Sequence, residues 1–442
     1  MPQSTQTAPR GKSSPRKQPD AARKLKIGLV GFGTVGRSVA KLLSLDDAGS
    51  FVLTHVCNRN VQRKKVDWLP KVHWTDNVDD LLSSDIDVFV ELVGGVEPAG
   101  AWIRKALETG KSVVTANKLL IADQGPELLE LARKAGKRLE FGASVAGGIP
   151  AIIAIESGLA GDRLHKIAGI LNGTCNYILT QMEASGATFE SALKEAQRLG
   201  FAEADPRDDV EGFDARAKLV ILTLVGLRLR VRAEQIPCRP VYSVGAVDFA
   251  YARELNCTIR QISLATREPG DGVRLAASVQ PALVPLSSLV AHVQGSRNLV
   301  VATGEFAGQI LLSGYGAGGD PTAVAVVSDL YSIARAHGTA PAAPERPVQV
   351  PQSVSGEFTV PHYLRLVVRD RPGIVAEVAA VLSRHGISID ALLQKPGYPH
   401  TALPFIITLE SCSSAVLQRA LEEITHLDFH VETPLCLPIY LD

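Results

Sequence analysis

A glycine-rich turn between a strand and a helix is the feature that most constrains the fold. An apolar run over 26–30 leads directly into Gly31, Gly33 and Gly36 of the sequence GFGTVG, and a helical pattern follows over 35–43. The first glycine permits a tight turn, the second lets the backbone approach a pyrophosphate, and the third lets helix and strand pack closely. The helix N-terminus then faces the phosphate charge. The sequence therefore predicts a dinucleotide site; a turn with only a packing role is the alternative.

The alternation of elements after this turn predicts the fold class. Strands are expected at 51–56, 88–92, 112–114 and 138–141, with helical stretches near 102–108 and 127–135. Strands that alternate with helices form a parallel sheet covered on both faces. We therefore predict an α/β protein with a Rossmann-type, doubly wound nucleotide domain over residues 25–150.

The end of the second strand bears on the choice of cofactor. An NAD site usually carries an Asp or Glu there for the ribose hydroxyls, but this chain has Asn58 and Arg59. Arg59, backed by Arg63, Lys64 and Lys65, could instead meet a 2′-phosphate. NADP(H) is therefore the preferred cofactor and NAD(H) the second choice, unless these residues are only solvated loop charges.

Two further domains are predicted. The patterns over 151–315 indicate a mixed α+β domain for substrate binding and dimerisation. A Pro-rich stretch over 339–357 is typical of a linker. Beyond it, strands and helices in the order βαββαβ over 358–442 predict a separate, ferredoxin-like unit.

Composition narrows the class of protein. Formal net charge is zero and no apolar run reaches the length of a membrane span, so neither nucleic acid nor a membrane is expected as a partner. The six cysteines lack metal-site spacing and fit reduced thiols in the cytoplasm. Residues 1–24 are expected to be a disordered tail, with an organelle transit peptide as the alternative.

Carboxylates crowded around a lysine are the strongest chemical signal. Asp214 and Lys218 lie four residues apart in an apolar helix, so they share one face. Further acids precede this helix at Glu203, Asp205, Asp208 and Asp209. A lysine among carboxylates at the edge of a core can act as a proton donor. An ordinary ion pair on the helix surface is the alternative.

Several motifs in order give the chain a wider resemblance. They are GFGTVG at 31–36, TANK at 115–118, AGGIP at 146–150, GILNGTCNY at 169–177, the acidic segment over 200–222 and GAGGDPT at 316–322. From about residue 26 to residue 442, the chain resembles homoserine dehydrogenase in the form with a C-terminal ACT domain. The resemblance implies reversible NAD(P)-dependent reduction of L-aspartate 4-semialdehyde to L-homoserine, a step in the biosynthesis of threonine, methionine and isoleucine.

The resemblance also implies roles for single residues. Lys218 would be the acid/base that protonates the carbonyl oxygen, and Lys118 a second lysine near nicotinamide and substrate, unless it is a surface lysine. Glu203 and Asp214 would hold the amino and hydroxyl ends of the substrate. The other substrate-binding candidates are Asp209, Asn172, Gly173 and Thr174, of which the last three could instead be a capped helix start. Cofactor contacts are implied for Gly31, Phe32, Gly33, Thr34, Val35, Gly36, Arg59, Val93, Gly94, Thr115, Lys118, Gly200 and Gly318, with Phe32, Thr34 and Val35 using backbone groups.

Two further features follow from the resemblance. Residues of about 316–338 would return as a helix to complete the nucleotide domain. The loop of Gly142, Val145, Gly147 and Ile149 would bind a sodium ion, largely through carbonyl oxygens. Gly142 stands where many relatives have a glutamate, which weakens the expected ion site, and Tyr315 stands where a proline is usual.

The C-terminal unit carries a candidate regulatory turn. Asp370, Arg371, Pro372 and Gly373 lie between a strand and a helix, whose free N–H groups can hold an amino-acid carboxylate. The resemblance implies L-threonine as a feedback inhibitor here, and a homodimer or homotetramer. A unit with only a structural or dimerising role is the alternative.

Two other functions stay open from sequence. A different Rossmann oxidoreductase would keep the glycines, but is not expected to keep Glu203, Asp214 and Lys218 together. A non-catalytic amino-acid sensor would need neither Lys118 nor Lys218. The presence of both lysines favours the enzyme.

Overall fold

The structure of the protein, a computed structural model, describes residues 24–47, 49–270, 272–336 and 347–442. The predicted disordered tail, apart from its last residue, and the first part of the predicted linker lie outside these ranges. The described strands form three sheets, one in each of an N-terminal domain, a central domain and a C-terminal unit.

The N-terminal domain is a parallel sheet between two hydrophobic cores. Its elements are β1 (Leu25–Val30), α1 (Thr34–Ser44), β2 (Phe51–Cys57), α2 (Val61–Lys64), β3 (His73–Thr75), α3 (Val78–Ser83), β4 (Val88–Glu91), α4 (Ala99–Glu108), β5 (Ser112–Thr115), α5 (Lys118–Lys134) and β6 (Leu139–Glu140). The strand order is β3-β2-β1-β4-β5-β6. Phe89 faces one core while Val88 and Val90 face the other, as expected for a buried parallel strand. The doubly wound prediction is confirmed.

The central domain contains a six-stranded mixed sheet. Its elements are α6 (Ala151–Ile153), β7 (Leu164–Ile170), α7 (Gly173–Ser185), α8 (Phe189–Arg198), α9 (Arg207–Val210), α10 (Phe213–Gly226), α11 (Ala246–Glu254), β8 (Cys257–Arg267), β9 (Arg274–Pro285), β10 (Arg297–Gly304) and β11 (Gly308–Tyr315). The apolar helix α10 packs against this sheet, since Leu219 and Ile221 share a core with Ile167 and Val300.

The next helix, α12 (Gly319–Ala336), leaves the central domain and lies along α1. Val326, Leu330 and Ile333 join Val39 and Leu43 in a core of the N-terminal domain. Burial of this apolar stripe holds α12 against the N-terminal domain.

Part of the predicted linker is a strand. β12 (Ser353–Ser355) pairs in parallel with β9, and the N–H of Arg230 donates to the Gln349 carbonyl at 2.8 Å. Residues 349–355 are therefore not a free linker. β12 lies at the edge of the sheet, so only one of its sides is paired. Nearby prolines such as Pro351, which have no backbone N–H, are tolerated at such an edge.

The C-terminal unit has the predicted βαββαβ order: β13 (Thr359–Val368), α13 (Ile374–Arg384), β14 (Ile389–Gln394), β15 (Leu403–Ser413), α14 (Ser414–Thr425) and β16 (Leu435–Pro438). One face of β13 places Leu364 and Leu366 against its helices. The other face places Tyr363 in a core with Tyr251 of the central domain. Although the unit was expected to be separate, its sheet is packed on both faces.

Candidate active site

The glycine turn joins β1 to α1 at the carboxyl edge of the sheet. Gly31 has φ +98°, a conformation that favours glycine. A Cβ on Gly36 would lie 2.1 Å from the Gly31 carbonyl oxygen, whereas nothing lies within 4 Å of where a Cβ on Gly33 would be. Gly33 and Thr34 are exposed, so the first N–H groups of α1 are accessible to a phosphate.

Phe32, whose backbone groups are predicted to contact the cofactor, has its N–H engaged within the protein. This N–H donates to Asn58 Oδ1 at 2.9 Å, and the buried ring packs edge-on against Trp74. The Asn58 amide also donates to the Arg59 carbonyl. Asn58 thereby ties the end of β2 to the glycine turn, where an NAD site usually has a carboxylate.

Basic side chains surround this end of β2. Arg59 follows Asn58 directly, and α2 is a single turn that ends in Arg63 and Lys64. All three side chains, and that of Lys65, are exposed. They are accessible to an anion bound at the edge of the sheet.

A second helix begins at the same edge. A Cβ on Gly319 would lie 2.7 Å from Thr34 Cγ2, and the Ser38 hydroxyl donates to Asp320 Oδ1 at 2.6 Å. Gly318, with φ +117°, makes the turn into α12. Gly318 therefore lies beside the start of α1, where the dinucleotide is predicted.

Asp214 joins the two candidate lysines. It is 6 % exposed in the first turn of α10, and its Oδ2 accepts from Lys218 Nζ at 2.7 Å. Its Oδ1 pairs with Lys118, which comes from the start of α5 in the N-terminal domain. Lys218 is 9 % exposed and also donates to the Leu171 carbonyl at 2.9 Å. The Asp214–Lys218 pair is buried, and Asp214 also pairs with a lysine of the N-terminal domain, so this is not an ordinary ion pair on a helix surface.

The charges in this cluster shift one another's pKa. Burial alone would raise the pKa of Asp214, but attraction to Lys218 and Lys118 outweighs it and holds that pKa below its ordinary value. Burial lowers the pKa of Lys118, yet attraction to Asp214 outweighs this and raises it. Burial raises the pKa of the nearby Asp209. Asp214 is therefore ionised and Lys118 protonated at neutral pH.

Asn172 is engaged with the carboxylates of the cluster. Its Nδ2 donates to Asp209 Oδ1 at 2.6 Å and to Asp214 Oδ2 at 2.9 Å. Its Oδ1 caps α7 by accepting the N–H of Cys175 at 2.8 Å. Asn172 is therefore a helix cap, as the alternative interpretation of this motif expected, and the same side chain also bonds the carboxylates.

Gly173 and Thr174 hold the start of α7 in place. A Cβ on Gly173 would lie 2.6 Å from the Ser296 carbonyl oxygen, so only glycine fits there. The Thr174 hydroxyl donates to the Phe201 carbonyl at 2.7 Å. Thr174 thus connects α7 to the loop after α8.

That loop carries Gly200 and Glu203. Gly200 is exposed and has φ +79°. Glu203 is exposed, and among the described residues its carboxylate makes no ion pair with Lys118 or Lys218. The structure brings the loop of Glu203 to α7 without joining its carboxylate to the lysines.

Glu91 is a buried residue that sequence analysis missed. Its Oε1 accepts the N–H groups of Val93 at 2.7 Å and Gly94 at 2.9 Å, and its Oε2 accepts the Thr115 hydroxyl at 2.6 Å. The hydroxyl of Thr115, a predicted cofactor contact, is therefore engaged inside the protein. A lone acid at the end of an apolar strand, three residues before the first of two glycines, is the signal that could have revealed Glu91.

The predicted sodium loop packs against α12. The N–H of Gly142 donates to Asp329 Oδ2 at 2.9 Å, and a Cβ on Gly142 would lie 2.7 Å from Asp329 Oδ1. Asp329 therefore fills the space that a side chain at position 142 would enter. Nothing in the local sequence pairs these two positions.

The oxygen atoms that this loop leaves available determine which ion it could bind. The Ile149 carbonyl accepts the N–H of Ala151 at 2.7 Å, and the Tyr315 carbonyl accepts that of Gly148 at 3.1 Å. Across the described ranges, no three His, Cys, Asp or Glu side chains are grouped to hold a metal. Asp329 is the carboxylate that contacts this loop, and carboxylate and carbonyl oxygens are the donors that hard cations take.

The candidate regulatory turn is already rich in ion pairs. Asp370 pairs with His400 at 2.6 Å, and Arg371 pairs with Asp428 at 2.8 Å and with Glu377 at 3.2 Å. Gly373, with φ +99°, precedes α13. Pro372 and Gly373 are exposed, so the start of α13 is accessible.

Known proteins match this architecture along nearly the whole chain. The family described as "Homoserine dehydrogenase" matches residues 150–331, "Homoserine dehydrogenase, NAD binding domain" matches 31–142 and "ACT domain" matches 362–427. Homoserine dehydrogenase of Mycobacterium leprae is 38% identical over 92% of this chain and 95% of its own length. A crystal structure of a homoserine dehydrogenase from Thiobacillus denitrificans has a TM-score of 0.87 and 34% identity, covering 95% of this chain and 98% of that one. That of S. aureus homoserine dehydrogenase at pH 8.5 has a TM-score of 0.76 and 30% identity, covering 95% and 99%. The chain belongs to the homoserine dehydrogenase family, in the form that carries a C-terminal ACT domain.

Proposed function

We propose that the chain catalyses the reversible NADP(H)-dependent reduction of L-aspartate 4-semialdehyde to L-homoserine. The observation that carries the proposal is buried Asp214, paired with Lys218 on its own helix and with Lys118 from the N-terminal domain. The bound nicotinamide would supply the hydride. The two lysines place positive charge where an aldehyde oxygen would become negative.

Lys218 is the proposed acid/base. An ammonium has three donors, and those of Lys218 meet Asp214 at 2.7 Å and the Leu171 carbonyl at 2.9 Å, which leaves one for a substrate oxygen. A donor fixed by two acceptors is positioned for proton transfer. Lys118 has a side chain that is 38% exposed, which suits contact with substrate and nicotinamide.

Asp214 and Glu203 are the proposed carboxylates for the substrate's polar ends. Asp214 is held by Asn172 at 2.9 Å, so its orientation is set before substrate arrives. Glu203 lies exposed in the loop that Thr174 ties to α7, which leaves its carboxylate available for the substrate ammonium.

Replacement of the acid/base tests this function. Lys218→Ala should abolish oxidation of L-homoserine with NADP+, followed by reduced-cofactor absorbance, while cofactor affinity measured by calorimetry stays near that of the wild type. Lys134→Ala, on the exposed side of α5, is the matched control and should keep full activity. Turnover by Lys218→Ala above one tenth of the wild-type rate would refute the assigned role.

The preference for NADP(H) over NAD(H) rests on Asn58 and the exposed Arg59. With no carboxylate at this position to repel a 2′-phosphate, and basic residues around it, the edge favours the phosphorylated cofactor. Arg59→Asp should shift the ratio of kcat/KM for NADP+ and NAD+ toward NAD+ by at least about tenfold, the effect of about 1.4 kcal/mol. The control is Lys71→Asp, also exposed; equal shifts in both variants would contradict the phosphate contact.

The ACT domain and the sodium loop are the proposed sites of the remaining ligands. L-threonine would bind at the turn of residues 370–373, since an exposed helix start there can hold a carboxylate. Sodium would bind at the loop of residues 142–149, with Asp329 replacing the carboxylate that Gly142 lacks. Initial rates with and without L-threonine, and with sodium replaced by a bulky organic cation, test both.

The proposed assembly is a homodimer or homotetramer in the cytoplasm. None of the helices in the described ranges combines the length and apolar character needed to cross a bilayer. The described cysteines are free thiols, as in a reducing compartment. Light scattering of the purified protein would give the number of subunits, and a monomer would contradict the proposal.

A further inference from the structure

Glu91 is a fully buried acid at the carboxyl edge of the nucleotide sheet. It ends β4, after three apolar residues that face the two cores of the domain. Burying a carboxylate is costly unless hydrogen bonds compensate for the lost water. A carboxylate kept at such a position therefore organises the groups that bond to it.

The bonds of Glu91 all come from neutral donors. Oε1 accepts the N–H groups of Val93 and Gly94 at 2.7 and 2.9 Å, and Oε2 accepts the Thr115 hydroxyl at 2.6 Å. The Thr115 oxygen in turn accepts the N–H of Asn117 at 3.0 Å. Both carboxyl oxygens of Glu91 are therefore engaged by hydrogen bonds within the protein.

This network joins the loop after β4 to the start of α5. Asn117 donates from Nδ2 to the Gly95 carbonyl at 2.6 Å, and its Oδ1 caps α5 by accepting the N–H of Leu120 at 3.2 Å. The first residue of α5 is Lys118. Glu91 is thus connected, through Thr115 and Asn117, to the turn that carries Lys118.

The loop after β4 depends on such an anchor. Gly94 and Gly95 have φ +82° and +78° and carry no side chain of their own to pack against the protein. Hydrogen bonds to Glu91 and Asn117 hold residues 93–95 in place.

We infer that Glu91 is a positioning residue of the active site. Its carboxylate fixes the backbone of residues 93–95, which faces the predicted cofactor, and through Thr115 and Asn117 it fixes the start of α5, so that Lys118 meets Asp214. This inference rests on the proposed function for the role of Lys118. Its effect on the cofactor loop does not depend on which substrate is reduced.

A matched pair of variants tests the inference. Asp162 is likewise buried, and it holds a loop of the central domain by accepting the N–H groups of Phe306 at 3.1 Å and Ala307 at 2.8 Å. Glu91→Ala and Asp162→Ala therefore remove comparable structural carboxylates. Glu91→Ala should weaken NADPH binding, measured by calorimetry, and lower kcat, each by at least about tenfold, since small displacements of catalytic groups can cost up to about a hundredfold. Asp162→Ala should leave both values within about twofold in the folded protein.

Conservative variants separate positioning from folding. Glu91→Gln keeps an acceptor for Val93 and Gly94 and should recover most of the NADPH affinity. Glu91→Asp, whose side chain is one methylene shorter, should not recover the NADPH affinity. If Glu91→Ala does not fold, Thr115→Val removes one donor and should still lower kcat more than Asp162→Ala does. Equal effects of Glu91→Ala and Asp162→Ala, or no recovery in Glu91→Gln, would overturn the inference.

A double variant tests the route through the lysine. If Glu91 acts on chemistry by placing Lys118, then Glu91→Ala should lower kcat far less in a Lys118→Ala background than in the wild type. If the effects of Glu91→Ala and Lys118→Ala on kcat are fully additive, the inferred connection from Glu91 to Lys118 is wrong. Absence of homoserine turnover in the wild type would refute the proposed function alone, because the NADPH affinities of the Glu91 and Asp162 variants would still decide whether Glu91 positions the loop.

Discussion

Removing the Asp248 carboxylate is expected to loosen the C-terminal unit from the central domain. Asp248 lies on α11 and is fully buried. It accepts the Gly245 N–H at 2.7 Å and the Tyr363 hydroxyl at 2.7 Å, and it pairs with Arg365. Tyr363 and Arg365 both belong to β13, so one carboxylate anchors the sheet of the C-terminal unit.

The expected loss of stability depends on which groups each variant leaves buried without a partner. Asp248→Ala leaves the Arg365 guanidinium, 9% exposed, with Glu432 at 3.5 Å as its remaining carboxylate partner. Breaking one side of a buried pair costs about 3–5 kcal/mol, because the other charge stays buried without compensation. Removing both charges in Asp248→Ala/Arg365→Met avoids that cost and should be less destabilising than Asp248→Ala. Tyr363→Phe removes one hydrogen bond and should cost about 1 kcal/mol.

Pulse proteolysis in urea measures these losses at the C-terminal unit. A loss of 3 kcal/mol raises the fraction of molecules with an opened unit by over a hundredfold, on the scale of about 1.4 kcal/mol per factor of ten. Arg371→Met, on the exposed surface of the same unit, is the control and should change stability by less than about 1 kcal/mol. The reasoning is refuted if Asp248→Ala matches this control, or if the losses measured for Asp248→Ala alone and Arg365→Met alone simply add in Asp248→Ala/Arg365→Met.

Three further predictions concern the nucleotide and catalytic regions. Gly36→Ala places a Cβ 2.1 Å from the Gly31 carbonyl oxygen, so it should displace α1, cost about 1–3 kcal/mol of stability and reduce NADPH affinity; calorimetry showing unchanged affinity would contradict the close packing. Burial raises the pKa of Asp329 in the folded protein above its value in the unfolded chain. The contribution of the Asp329 carboxyl to folding stability is therefore present at low pH and is lost as the pH rises through the folded-state pKa. Asp329→Asn should therefore raise the Tm at neutral pH in sodium-free buffer, with a gain that shrinks on acidification, and a gain independent of pH would argue against the assignment. Asp214→Asn removes the charge that raises the pKa of Lys118, so the pH at which Lys118 becomes reactive toward an amine-modifying reagent, read by mass spectrometry, should fall; an unchanged pH would exclude this coupling.

The parts of the site that could be predicted from sequence are those set by local chemistry. The turn of Gly31, Gly33 and Gly36 is recognisable because each glycine meets a requirement within one strand and one helix. Asp214 and Lys218 are recognisable because four residues of helix place them on one face. In each case the sequence spacing is itself the structural relation.

The parts that could not be predicted depend on residues that are distant in sequence. Asp329 meets Gly142 across 187 positions, and Arg365 meets Asp248 across 117. Hydrophobic periodicity predicts the elements that carry these residues, but not which polar groups will face each other once the elements pack. The hydrogen bond from the Phe32 N–H to Asn58 was missed for the same reason, because it depends on the pairing of β2 with β1, which brings Asn58 to the glycine turn.

The pairing of Lys118 with Asp214 has a structural consequence for catalysis, because the two residues come from different domains. The helices that carry them, α5 and α10, share one hydrophobic core, to which Leu120 and Leu128 contribute from the first and Leu219 from the second. Relative motion of domains is the normal expectation only where their interface is small or polar. Here the interface is an apolar core, so packing holds the lysine against the carboxylate when the chain folds. The charges that would stabilise an alkoxide are therefore organised before substrate binds, and substrate binding does not have to close a hinge to assemble them.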